Sequence, residues 1–158
     1  MTPAEELATL LMKGGFTLSV AESCTGGMIG YMMTSVPGSS SFFLGGAITY
    51  SNESKIKLLD VPSAVIETYG AVSKETATEM AKGIISLYDS DLSIAVTGIA
   101  GPGGGTIEKP VGLVFTSVSN KDVTDVRKHL FNGERGAVRT SASEAAIMHL
   151  IDLLKNRI

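Results

Sequence analysis

The sequence predicts an α/β domain built on one sheet, parallel in its larger part and covered by helices on both faces. Three observations lead there. Short apolar runs alternate with capped or amphipathic helical segments through the first hundred residues, which requires right-handed crossovers between parallel strands. Near the end, Ser119-Asn120-Lys121 separates two strand-like runs and reads as the turn of an antiparallel hairpin. A chain of 158 residues is long enough for one domain with a real core and too short for two comfortable ones.

Each element has a local cause. Thr2, followed by Pro3 and Glu5, has the form of a capping box with proline at the first helical position, so a helix runs to about Lys13 and stops at Gly14-Gly15. Phe16, Leu18 and Val20 alternate with polar or small residues, which predicts a strand into Glu22. A short helix is expected over 26–35, a break at Pro37-Gly38-Ser39-Ser40, and a second strand over 42–50. Ser51 caps a short helix through Leu58, and residues 62–69 read as another, closed by Gly70. Ser73 caps a longer helix whose Ala77, Met80, Ala81, Ile84 and Ile85 form a buried stripe. Strands follow over 92–97, 111–118 and 126–131, about five in all, and a closing helix spans 137–156. No internal repeat, linker or low-complexity tract interrupts this order.

Composition narrows the function. A net charge of −3 with scattered lysines lacks the basic face a nucleic-acid partner needs. No unbroken apolar run approaches the roughly 20 residues that span a bilayer, and the N-terminus lacks the pattern of a secretory signal. The single cysteine, Cys24, and the two histidines, His129 and His149, make no cluster at metal-ligand spacing. A cytoplasmic domain without metal, cofactor, nucleic-acid or membrane partner is expected.

The segment from Val96 to Thr106 is the most informative. The apolar run 92–96 stops at Thr97 and gives way to five glycines within eight residues. Such a loop lets backbone N–H groups approach a ligand, although glycine-rich loops also serve as plain connectors. It fits neither the P-loop nor the dinucleotide fingerprint. In a parallel sheet the C-terminal ends of strands share one edge, where ligands usually bind. That placement brings Ser23, Tyr50 and Thr97 around one cleft.

Ser23 sits at a strand-to-helix turn, made accessible by Gly26-Gly27; it reads as a helix cap or as a nucleophile. A serine nucleophile needs a base. The histidines fall on a late strand and in the last helix and read as structural or surface residues. Lys55, five residues after Tyr50, serves as a base if burial lowers its pKa, and otherwise is a solvated helix lysine. Glu22 reads equally as an acid or base and as a brace for the turn, and Cys24 as packing. Arg135 and Arg139, four residues apart at the start of the final helix, present a cationic pair to an anion or to solvent. Lys109, next to Pro110, is placed to close the mouth of the glycine loop.

Several segments, in order, resemble a known family. They are Ala21-Glu22-Ser23-Cys24-Thr25-Gly26-Gly27, Pro37-Gly38-Ser39-Ser40, Thr49-Tyr50-Ser51-Asn52-Glu53-Ser54-Lys55, Gly70-Ala71-Val72-Ser73, Val96-Thr97-Gly98-Ile99-Ala100-Gly101-Pro102, Glu108-Lys109-Pro110-Val111-Gly112 and Gly133-Glu134-Arg135. The resemblance is to the C-terminal domain of the competence/damage-inducible protein CinA, the nicotinamide mononucleotide (NMN) amidohydrolases, and it covers essentially the whole chain. Some members carry a large N-terminal domain linked to ADP-ribose pyrophosphatase activity; the sequence resembles the stand-alone deamidase form. The resemblance implies a three-layer α/β/α fold with a mixed sheet, and hydrolysis of NMN to nicotinic acid mononucleotide and ammonia in pyridine nucleotide salvage. It implies Ser23 as nucleophile, Lys55 as its base and Tyr50 assisting. It places Thr25, Gly26, Gly27, Thr97, Gly98, Gly101, Pro102, Arg135 and Arg139 about the substrate, and it is compatible with a homodimer. Two positions depart from the family pattern: Gly103 stands where Asp is frequent, and Glu134 replaces an Asp before the arginine. The competing expectation is a nucleotide-binding regulatory module that uses the same loops without catalysis.

Overall fold

The computed structural model describes residues 1–157. Its elements follow in the order α1 (Pro3–Gly14), β1 (Leu18–Glu22), α2 (Met28–Thr34), a 3-10 turn at Ser39–Ser41, β2 (Phe43–Ile48), α3 (Asn52–Leu59), α4 (Ser63–Tyr69), α5 (Lys74–Tyr88), β3 (Leu92–Gly98), β4 (Leu113–Ser119), β5 (Thr124–Leu130) and α6 (Arg135–Arg157). Most boundaries lie where the caps put them. Thr2 and Glu5 form the reciprocal capping box of α1, and Ser51 and Ser73 accept the amides of Ser54 and Thr76 at the starts of α3 and α5. Several boundaries differ from expectation by about two residues: α2 begins at Met28 instead of 26, β2 ends at Ile48 instead of 50 and β4 begins at Leu113 instead of 111. β5 begins at Thr124, drawn earlier by its pairing with Ser119, and α6 begins at Arg135, so this arginine joins the first turn.

The sheet order is β2-β1-β3-β4-β5, with β1 parallel to β2 and β3, and the β3–β4 and β4–β5 pairs antiparallel. It is an α/β sandwich with a mixed sheet, parallel in one half and antiparallel in the other. β1 is buried along its whole length instead of alternating, because it has a strand on each side and helices on each face.

The two faces pack differently. Leu18, Val20, Ile94 and Val96 point into a large aliphatic core with Leu7 and Leu11 of α1, Ile29 and Met33 of α2, and Ile147 and Leu150 of α6. Each such side chain contributes roughly 1.5–3 kcal/mol on burial. The opposite face offers only small groups, Ala21 and Ala95, to Met80, Ala81 and Ile84 of α5 and Leu59 of α3. On that face α3 and α5 approach backbone to backbone at Gly83: a Cβ there would lie 2.0 Å from the carbonyl oxygen of Leu59. This closeness seats α3 low against the sheet, with Lys55 and Leu59, one turn apart, as its buried side chains.

Candidate active site

The parallel half ends in a cleft of about 260 Å³ lined by Ser23, Cys24, Tyr50, Lys55, Ala71, Val72, Thr97–Ala100, Gly101, Gly103, Gly104 and Arg135. Among the described residues two cationic side chains and no carboxylate line it.

Ser23 follows β1 directly, and its amide still donates to the β3 carbonyl of Val96 (3.1 Å), so the ladder carries it between its neighbours. The chain then turns sharply, with Gly26 and Gly27 in left-handed conformations and the Gly26 amide returning to the Ser23 carbonyl (3.1 Å). Glu22 holds this turn from inside. Its buried carboxylate accepts from the Thr25 hydroxyl (2.7 Å) and from the amides of Gly27, Ile29 and Gly30 (3.0–3.1 Å), the unpaired donors of the α2 N-terminus. Of its two sequence readings, the structure realises the brace.

Lys55 is 1% exposed, and its Nζ donates to Ser23 Oγ (2.9 Å), the Thr49 carbonyl (2.6 Å) and the Tyr50 carbonyl (3.2 Å). Burial lowers its pKa from 10.5 to about 8. The geometry has a chemical consequence. Carbonyl oxygens only accept, so the neutral amine spends its two hydrogens on Thr49 and Tyr50, and its lone pair is left facing the Ser23 hydroxyl. Adjacent Cys24 is no competitor as nucleophile: it packs into the aliphatic core, and burial pushes its thiol up to about 11.

Arg135 stands at the rim, donating to the Gly101 carbonyl (2.7 Å) and the Tyr50 hydroxyl (3.2 Å). Tyr50 is 61% exposed and serves as a wall of the cleft mouth; its hydroxyl meets Arg135, not Ser23. Thr97 lines the cleft, but its hydroxyl donates to the Ala71 carbonyl (2.8 Å), pinning the 70–73 segment as the opposite wall. Gly98 and Gly101 contribute backbone to the lining.

Five residues expected about a ligand lie elsewhere. Thr25 is fully buried on Glu22, and Gly26 and Gly27 shape the turn behind the cleft. Pro102 is outside the lining. Arg139 directs its guanidinium to the carbonyls of Cys24 and Thr25. Lys109 donates to the Tyr69 carbonyl, fastening the outer limb of the glycine loop to the end of α4. Ala71 and Val72, part of the Gly70-Ala71-Val72-Ser73 segment of the resemblance but assigned no site role from sequence, line the cleft, where the Thr97 contact holds Ala71.

The histidines form a separate cluster between β4, β5 and α6. Thr116 Oγ1 lies 2.9 Å from both His129 Nε2 and His149 Nδ1, and His149 Nε2 lies 2.8 Å from Asp125 Oδ2. The carboxylate assigns the proton to His149 Nε2, so Nδ1 accepts from Thr116, which in turn accepts from His129. Burial lowers the pKa of both rings. Neither histidine lines the cleft, and among the described residues no group of His, Cys, Asp and Glu could hold a metal ion. No helix among them is long and apolar enough to cross a membrane.

Comparison with known proteins places this architecture. Residues 1–154 match the family model of the CinA C-terminal domain. A CinA-like protein of Geotalea uraniireducens is 46% identical over 152 residues, 96% of this chain and 35% of that protein. A putative competence-damage inducible protein of Clostridium beijerinckii is 52% identical over 139 residues, 88% of this chain and 34% of that protein. The chain therefore spans about a third of the length of these curated relatives. Among solved structures, competence damage-inducible protein A (ComA) of Klebsiella pneumoniae superposes with a TM-score of 0.95 at 31% identity, covering 99% of this chain and 97% of that one. The competence/damage inducible protein CihA of Agrobacterium tumefaciens gives 0.90 at 37% identity, covering 97% and 96%.

Proposed function

The chain belongs to the CinA C-terminal domain family, and we propose that its cleft hydrolyses the carboxamide of nicotinamide mononucleotide by serine catalysis. One observation carries this reading: a buried lysine of lowered pKa hydrogen-bonded to the hydroxyl at the end of β1, inside a cleft free of carboxylates.

In the reaction, neutral Lys55 takes the Ser23 proton as Oγ attacks the carboxamide carbon. The positively charged pyridinium withdraws electrons from that carbon and makes it a better electrophile. The amides of Cys24 and Thr25, which donate to no backbone carbonyl among the described residues, receive the oxyanion. Lys55 returns its proton to the leaving nitrogen, ammonia departs, and the acyl group stays on Ser23. Water, deprotonated by Lys55, then attacks the ester, releasing nicotinic acid mononucleotide and restoring the hydroxyl. Arg135 supplies the forked donor for the substrate phosphate, with Gly101 and Tyr50 holding its guanidinium at the rim.

The test is direct. Purified protein incubated with NMN should release ammonia and nicotinic acid mononucleotide in equal amounts, and Ser23→Ala should not. Binding of NMN without turnover would replace this reading with that of a nucleotide-binding module.

A further inference from the structure

Arg139 was expected on the substrate, yet it lies outside the cleft lining and spends its guanidinium on the backbone of the nucleophile turn. Its Nε donates to the Cys24 carbonyl (3.0 Å) and its Nη2 to the Thr25 carbonyl (3.1 Å), across more than a hundred residues of sequence. The turn is built around it. Gly26, at φ 61°, adopts a left-handed conformation that strains any L side chain, and a Cβ there would lie 2.9 Å from Arg139 Nη2, so the guanidinium would have to shift.

The planarity of the peptide unit makes these two bonds consequential. A carbonyl and the following N–H point in opposite directions in one plane. Holding the Cys24 carbonyl therefore orients the Thr25 amide away from Arg139. Holding the Thr25 carbonyl orients the Gly26 amide, which donates to the Ser23 carbonyl. That bond in turn sets the Cys24 amide, the other half of the Ser23–Cys24 peptide. With the Met28 amide also on the Thr25 carbonyl (3.1 Å), the guanidinium thus helps to orient both amides beside the nucleophile that donate to no backbone carbonyl among the described residues. Its placement does not serve the helix. Arg135 and Arg139 lie near the N-terminus of α6, where the helix dipole disfavours cations, and neither has a carboxylate within 4.0 Å among the described residues.

We propose that Arg139 is a positioning residue: it pre-orients the Cys24 and Thr25 amides to bind the oxyanion and does not touch the substrate. The inference rests on the amidohydrolase reading above. A lysine at this position keeps the charge and the aliphatic stem but cannot span two carbonyls as a fork does.

The experiment compares wild type, Arg139→Lys, Arg139→Ala and Ser23→Ala, each checked for an unchanged far-UV spectrum. If Arg139→Ala does not fold, Arg139→Lys carries the test. Arg139→Lys should lower kcat about a hundredfold, the scale of one lost oxyanion donor, with KM within about threefold of wild type. The midpoint of its pH profile should not move, because Lys55 is untouched. The rate of Ser23 modification by a fluorophosphonate probe should fall in parallel, and added guanidinium ion should restore part of the activity of Arg139→Ala. A rise in KM with kcat intact would make Arg139 a substrate contact, and a displaced pH midpoint would place its action on Lys55; either overturns the proposal, as does an unchanged kcat. If wild type itself neither turns over NMN nor is modified at Ser23, the amidohydrolase reading falls and this inference with it. If wild type does both and Arg139→Lys matches it, only the role of Arg139 falls.

Discussion

Each half of the sheet buries a hydroxyl in a set of polar partners, Ser23 with Lys55 in the parallel half and Thr116 with two histidines in the antiparallel half. The difference lies in saturation and access. Thr116 donates its one proton to His149, accepts from His129 and is fully buried, so no hydrogen-bonding capacity faces solvent. Ser23 meets a single basic nitrogen and lines a cleft. Parallel strands aim their C-terminal ends at one edge, where loops splay apart, whereas the hairpin returns on itself and α6 closes over it. Buried polar chemistry marks a site only where the fold leaves one partner unfilled.

The comparison can be broken most severely at Ser23. Ser23→Ala should lower kcat by several orders of magnitude, as loss of a nucleophile does, without lowering Tm; activity within about tenfold of wild type would exclude covalent serine catalysis. Lys55→Arg should follow closely, losing roughly 10²–10⁴-fold at every pH tested, since arginine keeps the charge but cannot accept a proton.

A pH profile sharpens the same point. Below a pH of about 8 Lys55 is charged and cannot accept the serine proton, so kcat/KM should rise about tenfold per pH unit and level off above it. Stability should move in the same direction. The folded protein releases this proton near 8 and the unfolded chain near 10.5, so the unfolded state binds more protons in between, and stability rises with pH across that window. A flat rate profile between pH 6 and 9 would remove Lys55 as the base.

Arg135→Lys should act on binding, raising KM about tenfold with kcat nearly unchanged, because a point charge replaces a fork. The smallest effect on activity is expected in the antiparallel half. His149→Gln disturbs the Thr116 and Asp125 contacts and should cost about 1–3 kcal/mol in denaturant unfolding, while kcat/KM stays within about twofold. A large loss of activity there would show that the two halves are coupled.

Some assignments were open to a reading of the chain and others were not. The elements and caps, the strand-end placement of Ser23 and Tyr50, and the structural character of His129 and His149 all follow from short-range patterns. Thr25, Gly26, Gly27 and Arg139 show where such reading stops. Their segments sit beside the nucleophile, but closeness in sequence does not say whether a side chain faces the ligand or braces the backbone. Buried Glu22 decides the matter for the turn, drawing Thr25 and the α2 amides inward.

By itself the sequence determined what depends on neighbours within about four residues: helical and strand periodicity, the capping serines, the glycine turns and hence the α/β class. Tertiary structure alone decided the contacts that make chemistry. Lys55 reaches Ser23 across 32 residues and Arg139 reaches Cys24 across 115. For Lys55 the reach depends on how closely α3 settles on α5 and the sheet, which the absence of a Cβ at Gly83, far along the chain, permits.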